Sequence, residues 1–112
     1  MSAQPEKQLT DKIIKALRSE GAFVQKIHGG TFQARGLPDV ILCYRSHFIG
    51  LEVKVPGKEK TVSLLQRKKL WDIYNAGGVG YMVTSVEEAL SVIEEVRSHL
   101  RRKPNVKPPE ST

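Results

Sequence analysis

Two apolar runs of strand length, Val40–Tyr44 and His47–Val55, are separated by Arg45 and Ser46 alone. So short a connection predicts an antiparallel hairpin. Strand alternation then puts Leu51, Val53 and Val55 on one face of the second run, and Gly50, Glu52 and Lys54 on the other. A carboxylate and an ammonium therefore leave an apolar strand on the same side. Asp39 stands at the head of the partner strand, so pairing of the two strands brings Asp39 towards Glu52.

The rest of the chain supplies helices to cover such a hairpin. Leu9, Ile13, Ile14 and Leu17 recur at helical spacing in a predicted helix that starts near Gln4, with Pro5 at its first position, and ends at Gly21. Glu6 projects to the same face, whereas Glu20 sits at the C-terminal end, where a carboxylate opposes the helix dipole. Ala22 to Ile27 reads as a first strand, and His28 to Gly36 as a loop broken by Gly29 and Gly30. After the hairpin, Pro56 and Gly57 end the strand, and Thr61 or Ser63 caps a helix to about Ala76 that Gly77 and Gly78 stop. Val79 to Thr84 is a last strand, and Ser85 caps an amphipathic helix through Ala89, Leu90, Ile93, Val96 and Leu100. The expected fold is α/β, a sheet flanked by helices, over residues 1–100. Residues 101–112, basic and rich in proline, read as a disordered tail.

With 112 residues, the chain fits one domain. Its lone cysteine, Cys43, reads as a buried thiol in a reducing compartment. No apolar run reaches bilayer-spanning length, and the first residues lack a signal-peptide pattern, so a soluble, cytoplasmic protein is expected. A net charge of +6 favours a polyanionic partner, usually nucleic acid. The charge is concentrated at Lys54, Lys58, Lys60, Arg67, Lys68 and Lys69, and again from Arg97 to Lys107. The plainer reading of each cluster is a solvated face or, at the C-terminal end, a solubilising tail.

Paired carboxylates suit Mg²⁺ or Mn²⁺, hard ions that take oxygen ligands, and without a cation two adjacent carboxylates repel. Such an ion beside a lysine supports phosphodiester hydrolysis, with Lys54 orienting the attacking water or stabilising the developing charge. The plainer reading of Glu-x-Lys on a strand is a cross-strand ion pair, and that of Pro-Asp is a turn. Their coincidence, one hairpin apart, favours the metal site.

The segments G-L-P-D-V-I-L, F-I-G-L-E-V-K, L-L-Q-R-K-K-L and N-A-G-G-V-G-Y-M-V occur here in that order. They resemble the VRR-nuclease domain of the PD-(D/E)xK nucleases, which is similar in fold to Holliday junction resolvases. The resemblance spans about Glu6 to Ile93. It implies a restriction-endonuclease-like core, a mixed sheet flanked by helices, and a structure-selective endodeoxyribonuclease acting on branched DNA. Asp39 and Glu52 match the metal-binding acids, Lys54 the catalytic lysine, and the Val53 carbonyl a further metal ligand. Gln66 matches a glutamine of the following helix, where alignment with Leu70 and Ile73 turns it inward; a buried amide satisfied by backbone is the alternative. Glu6 matches the acid of the first helix, with a dipole-favoured carboxylate as its alternative. Val55 departs from the basic residue usual after E-V-K. One site per chain and two nicks per junction imply a two-fold homodimer. Other readings are a nickase or flap nuclease, an RNA-directed nuclease, and a catalytically silent DNA-binding module. His28 and His47 lack ligand partners at metal spacing and read as structural or solvent-facing.

Overall fold

The computed structural model describes residues 5–28 and 35–109. Helix α1 (Pro5–Ser19) leads into β1 (Phe23–Lys26), the hairpin β2 (Val40–Tyr44) and β3 (His47–Val53), a 3₁₀ turn (Glu59–Thr61), α2 (Leu64–Asn75), β4 (Val79–Val83) and α3 (Val86–Arg97). The strands form one sheet in the order β1-β2-β3-β4. The pairs β1–β2 and β2–β3 are antiparallel, and β4 joins β3 in parallel. The sheet is thus mixed and flanked by helices. Gln4, the expected helix start, and Gly29 and Gly30 lie outside the described residues.

Arg45 and Ser46 take φ of 49° and 71°, as a two-residue hairpin turn demands, and this sets the β2–β3 register with Val40 opposite Leu51. The helices α1 and α3 close one face of the sheet. Ile13, Leu17, Leu42, Leu51, Val53 and Ile93 are buried there at 2% exposure or less. On the other face α2 packs over β3 and β4. Glycines allow it to come so close: a Cβ on Gly80 would lie 2.4 Å from the Leu70 carbonyl oxygen, and one on Gly50 would lie 2.6 Å from Ile73. Gly50 and Gly80 are register partners, so the two gaps form one shallow seat for α2.

Several boundaries are shorter than expected. Helix α1 stops at Ser19, two residues before Gly21, which takes φ +91°. Strands β1 and β4 are also shorter than Ala22–Ile27 and Val79–Thr84, and β3 ends at Val53 rather than Val55. Helix α3 ends at Arg97 because His99 turns to φ 63°, which throws Leu100 out of the apolar stripe to 45% exposure. Cys43 is not a core thiol. It is exposed on the outer face of β2, in a cross-strand row between Phe23 and Phe48, themselves 70% and 47% exposed. Alternation decides this, since Val40, Leu42 and Tyr44 take the buried side.

The segment from Arg101 to Pro109 is not a loose tail. It crosses the free edge of β4 as a strap. The Asn105 side chain mimics a neighbouring strand: its Oδ1 accepts from the Met82 N–H at 2.9 Å and its Nδ2 donates to the Met82 carbonyl at 2.8 Å. Trp71 Nε1 donates to the Val106 carbonyl at 2.9 Å, and Pro104 is buried. Arg101 donates to the Tyr74 and Gly78 carbonyls at 2.8 and 2.9 Å while lying 4.2 Å from the Tyr74 ring centre. Charge and proline suggested disorder, but side-chain amide and guanidinium groups tie the segment to backbone carbonyls that would otherwise be open at a sheet edge and a helix end. Truncation after Leu100 should therefore cost about 3–8 kcal/mol, at roughly 0.5–1.5 kcal/mol for each of the lost hydrogen bonds plus the cation–π contact. Urea unfolding measures it; an unchanged midpoint would mean the strap only rests on the surface.

Among the described residues, no helix is long and apolar enough to cross a membrane.

Candidate functional site

The hairpin register carries the acids to one place. With Val40 opposite Leu51, Asp39 comes opposite Glu52 one step along the ladder. The Asp39 carbonyl accepts from the Ile27 N–H at 2.8 Å, tying its backbone to the end of β1. Its carboxylate Oδ2 accepts from the Val53 N–H, also at 2.8 Å. Asp39 is thus anchored from both sides, with its second oxygen outside that bond. The Val53 group that meets Asp39 is its N–H.

Glu52 is 1% exposed in the middle of the sheet. Its Oε2 lies 3.8 Å from Lys54 Nζ, an ion pair too long for a hydrogen bond. Its Oε1 is buried with no hydrogen-bond partner among the described residues. Lys54 is held by its own backbone N–H, which donates to the Val83 carbonyl at 3.0 Å, and its side chain is only 12% exposed. Glu52 and Lys54 therefore share a face, as the alternation requires. Burial pushes the Glu52 carboxyl up to about 8; the negative charge of Asp39 adds to the rise and Lys54 opposes it.

A buried carboxylate with a bare oxygen needs a proton or a cation. Asp39 and Glu52 fit a hard divalent ion: both are oxygen donors, they face each other across the ladder, and Glu52 Oε1 has no competing partner. Among the described residues, no three His, Cys, Asp or Glu side chains cluster as a metal-binding group. A cation here could take side-chain oxygens from these two acids.

The other expected residues divide. Glu6 is exposed in the first turn of α1 instead of lying on the buried stripe, which begins at Thr10. It nevertheless lines the same cavity of about 390 Å³ as Asp39, and its charge contributes to the rise at Glu52. Glu20 is elsewhere, paired with Arg97 at 2.8 Å. Gln66 does not turn inward. Its Oε1 accepts from the Ser63 N–H at 2.8 Å and Ser63 Oγ accepts from the Gln66 N–H at 3.1 Å, a capping box for α2. The signal was present as Ser-x-x-Gln at Ser63–Gln66, where a side chain three residues after the cap completes the pair of bonds. Lys26, on β1, was not singled out from the sequence, yet it lines the Asp39 cavity. His28 is exposed, and His47 Nδ1 bonds the Arg45 carbonyl oxygen at 3.0 Å. Of the basic cluster around α2, Lys68 is paired with Asp72 at 3.0 Å, whereas Lys58 and Lys60 are exposed. The chain matches no family model, no curated protein and no solved structure.

Proposed function

We propose that the protein is a divalent-metal-dependent nuclease of the PD-(D/E)xK type. The observation that carries this reading is the partnerless, buried Glu52 Oε1, opposite Asp39 and beside Lys54. A structural ion pair would leave no buried oxygen bare, and a pure binding module gains nothing from acids that repel phosphate. The order α-β-β-β-α-β with a mixed sheet is compatible with a restriction-endonuclease-like core.

Asp39 and Glu52 would hold Mg²⁺ or Mn²⁺. Such an ion, when bound, neutralises charge on the scissile phosphate and lowers the pKa of water. The Val53 N–H fixes the orientation of Asp39 and leaves its other carboxylate oxygen available to such an ion. Lys54 is placed to orient the attacking water or to stabilise charge that develops on the phosphate, with its mobility restricted by burial. DNA is the substrate class that the net charge of +6 and the motif resemblance favour. Preference for branched DNA, and a two-fold dimer that places a paired nick on a junction, belong to the same reading.

A panel of labelled four-way junctions, flaps, duplexes, single strands and RNA tests it. Cleavage is expected with Mg²⁺ or Mn²⁺, to cease in EDTA, and to be weak in Ca²⁺, whose looser shell activates water poorly. Undiminished cutting after exhaustive chelation would exclude the metal reading. Binding without cutting in every metal would leave a silent DNA-binding module in its place.

A further inference from the structure

Two cavities run along α1 and meet at one residue. The first, about 390 Å³, is lined by Glu6, Lys7, Lys26 and Asp39. The second, about 700 Å³, is lined by Lys26 and His28 on the β1 side and by Lys15 and Arg18 of α1. They form a single groove between α1 and the outer strand β1, leading away from the acids. Arg18 builds its wall, donating to the Val24 carbonyl at 3.0 Å and so holding α1 against β1 without losing its charge.

The electrostatics change sign along this path. Carboxylates stand at the Asp39 end, and Lys15, Arg18 and Lys26 line the remainder. Asp11, an acid on the groove's floor, is bracketed by Lys7 at 3.0 Å and Lys26 at 3.9 Å. Among the described residues the lining away from Asp39 is mainly cationic and neutral polar, Asp11 being paired with lysines, and its one aromatic ring is the His28 imidazole. Such a surface suits a sugar–phosphate backbone more than a row of exposed bases. Its length fits several phosphates: Glu6 to Arg18 is twelve residues of one helix, about 18 Å, or about five nucleotides of a strand that keeps the 3.4 Å rise of a duplex.

We infer that the groove between α1 and β1 is the track along which one nucleic-acid strand leaves the Asp39–Glu52 site, its phosphates held by Lys15, Lys26 and Arg18. This rests on the nuclease reading for the identity of the ligand. It also assigns the phosphate-binding surface to the β1 edge of the sheet. The strap with its basic residues lies on the opposite edge, along β4.

The test is DNA binding by the full chain in Ca²⁺, with a parallel cleavage assay in Mg²⁺. The variants are Lys15→Glu with Lys26→Glu, the milder Lys15→Ala with Lys26→Ala, and Lys103→Glu on the strap, whose charge change equals that of the double Ala variant. The double Glu variant should weaken binding by roughly 30-fold or more at low salt, and the double Ala variant should flatten the salt slope by about 1.8, at about 0.9 per phosphate contact. Lys103→Glu should change none of these. Trimming a substrate on one side of the cut by up to about five nucleotides should remove the difference between wild type and the double variants. An unchanged slope in the double Ala variant, or an equal loss in Lys103→Glu, would overturn the groove. A wild-type protein that binds through Lys15 and Lys26 but cuts nothing would refute the nuclease reading alone; one that cuts without regard to them would refute the groove alone.

Discussion

Replacing Glu52 with Gln should lower kcat/KM for metal-dependent cleavage by about 10³-fold or more, equivalent to about 4 kcal/mol of transition-state stabilisation. The substitution keeps the buried volume but removes the charge that would hold a cation, so the fold survives while the chemistry is lost. Asp39→Asn should have a comparable effect. Its amide oxygen can still accept from the Val53 N–H, so the β2–β3 ladder is retained. Lys54→Ala should cost about 10²–10³-fold, and Lys54→Arg less than that, because charge near the phosphate is preserved while its position is not. Glu6→Gln should give a smaller loss, about 10-fold, as a group that shares the Asp39 cavity but is exposed. Glu20→Gln should leave cleavage unchanged, since that carboxylate lies just past the end of α1 and is paired with Arg97 of α3. DNA affinity in Ca²⁺ should hold for Lys54→Ala, which separates catalysis from binding. If Glu52→Gln cleaves at the wild-type rate, the site is somewhere else.

Stability of the metal-free protein should fall as pH rises from about 4.5 to about 8. The sign follows from burial. The Glu52 carboxyl is raised from 4.5 to about 8 in the folded chain, so folding favours its protonated form. Below 4.5 both states hold the proton and the preference is fully expressed. Between the two values the unfolded chain releases the proton while the folded chain must keep it, and above 8 the folded chain bears a buried charge that Lys54 offsets only in part. The span corresponds to about 2–5 kcal/mol. Glu52→Gln, neutral at every pH, should remove this component and be the more stable protein above pH 8. Mg²⁺ should restore wild-type stability at high pH, more strongly as pH rises, because binding requires the ionised acid. Urea titrations at pH 5, 7 and 9 with and without Mg²⁺ measure all of this. Wild type and Glu52→Gln showing the same slope with pH would remove Glu52 as its source.

Local rules were enough to read much of this protein from its residues. A two-residue turn between apolar runs determined the β2–β3 hairpin, because only one pairing closes over so short a connection. That register, together with strand alternation, placed Glu52 beside Lys54 and opposite Asp39. Helical spacing marked Ile13, Ile14 and Leu17 as the buried side of α1. Tertiary packing decided the rest. Whether Glu52 lies at a wet face or is stripped of water depends on what closes over β3, and alternation is blind to that. The parallel entry of β4 beside β3, and the glycine seat that admits α2, likewise depend on long-range packing. Cys43 faces outward because its neighbours took the core. Gln66 caps a helix because a local backbone bond outcompeted an inward turn. The strap is ordered by single, specific bonds from Asn105, Trp71 and Arg101 to distant backbone. Composition averages over a segment and carries no trace of such bonds. Lys26 and Glu6 meet Asp39 only when β1 and α1 are laid against the hairpin, since sequence separations of 13 and 33 residues leave their proximity to the packing of the whole domain.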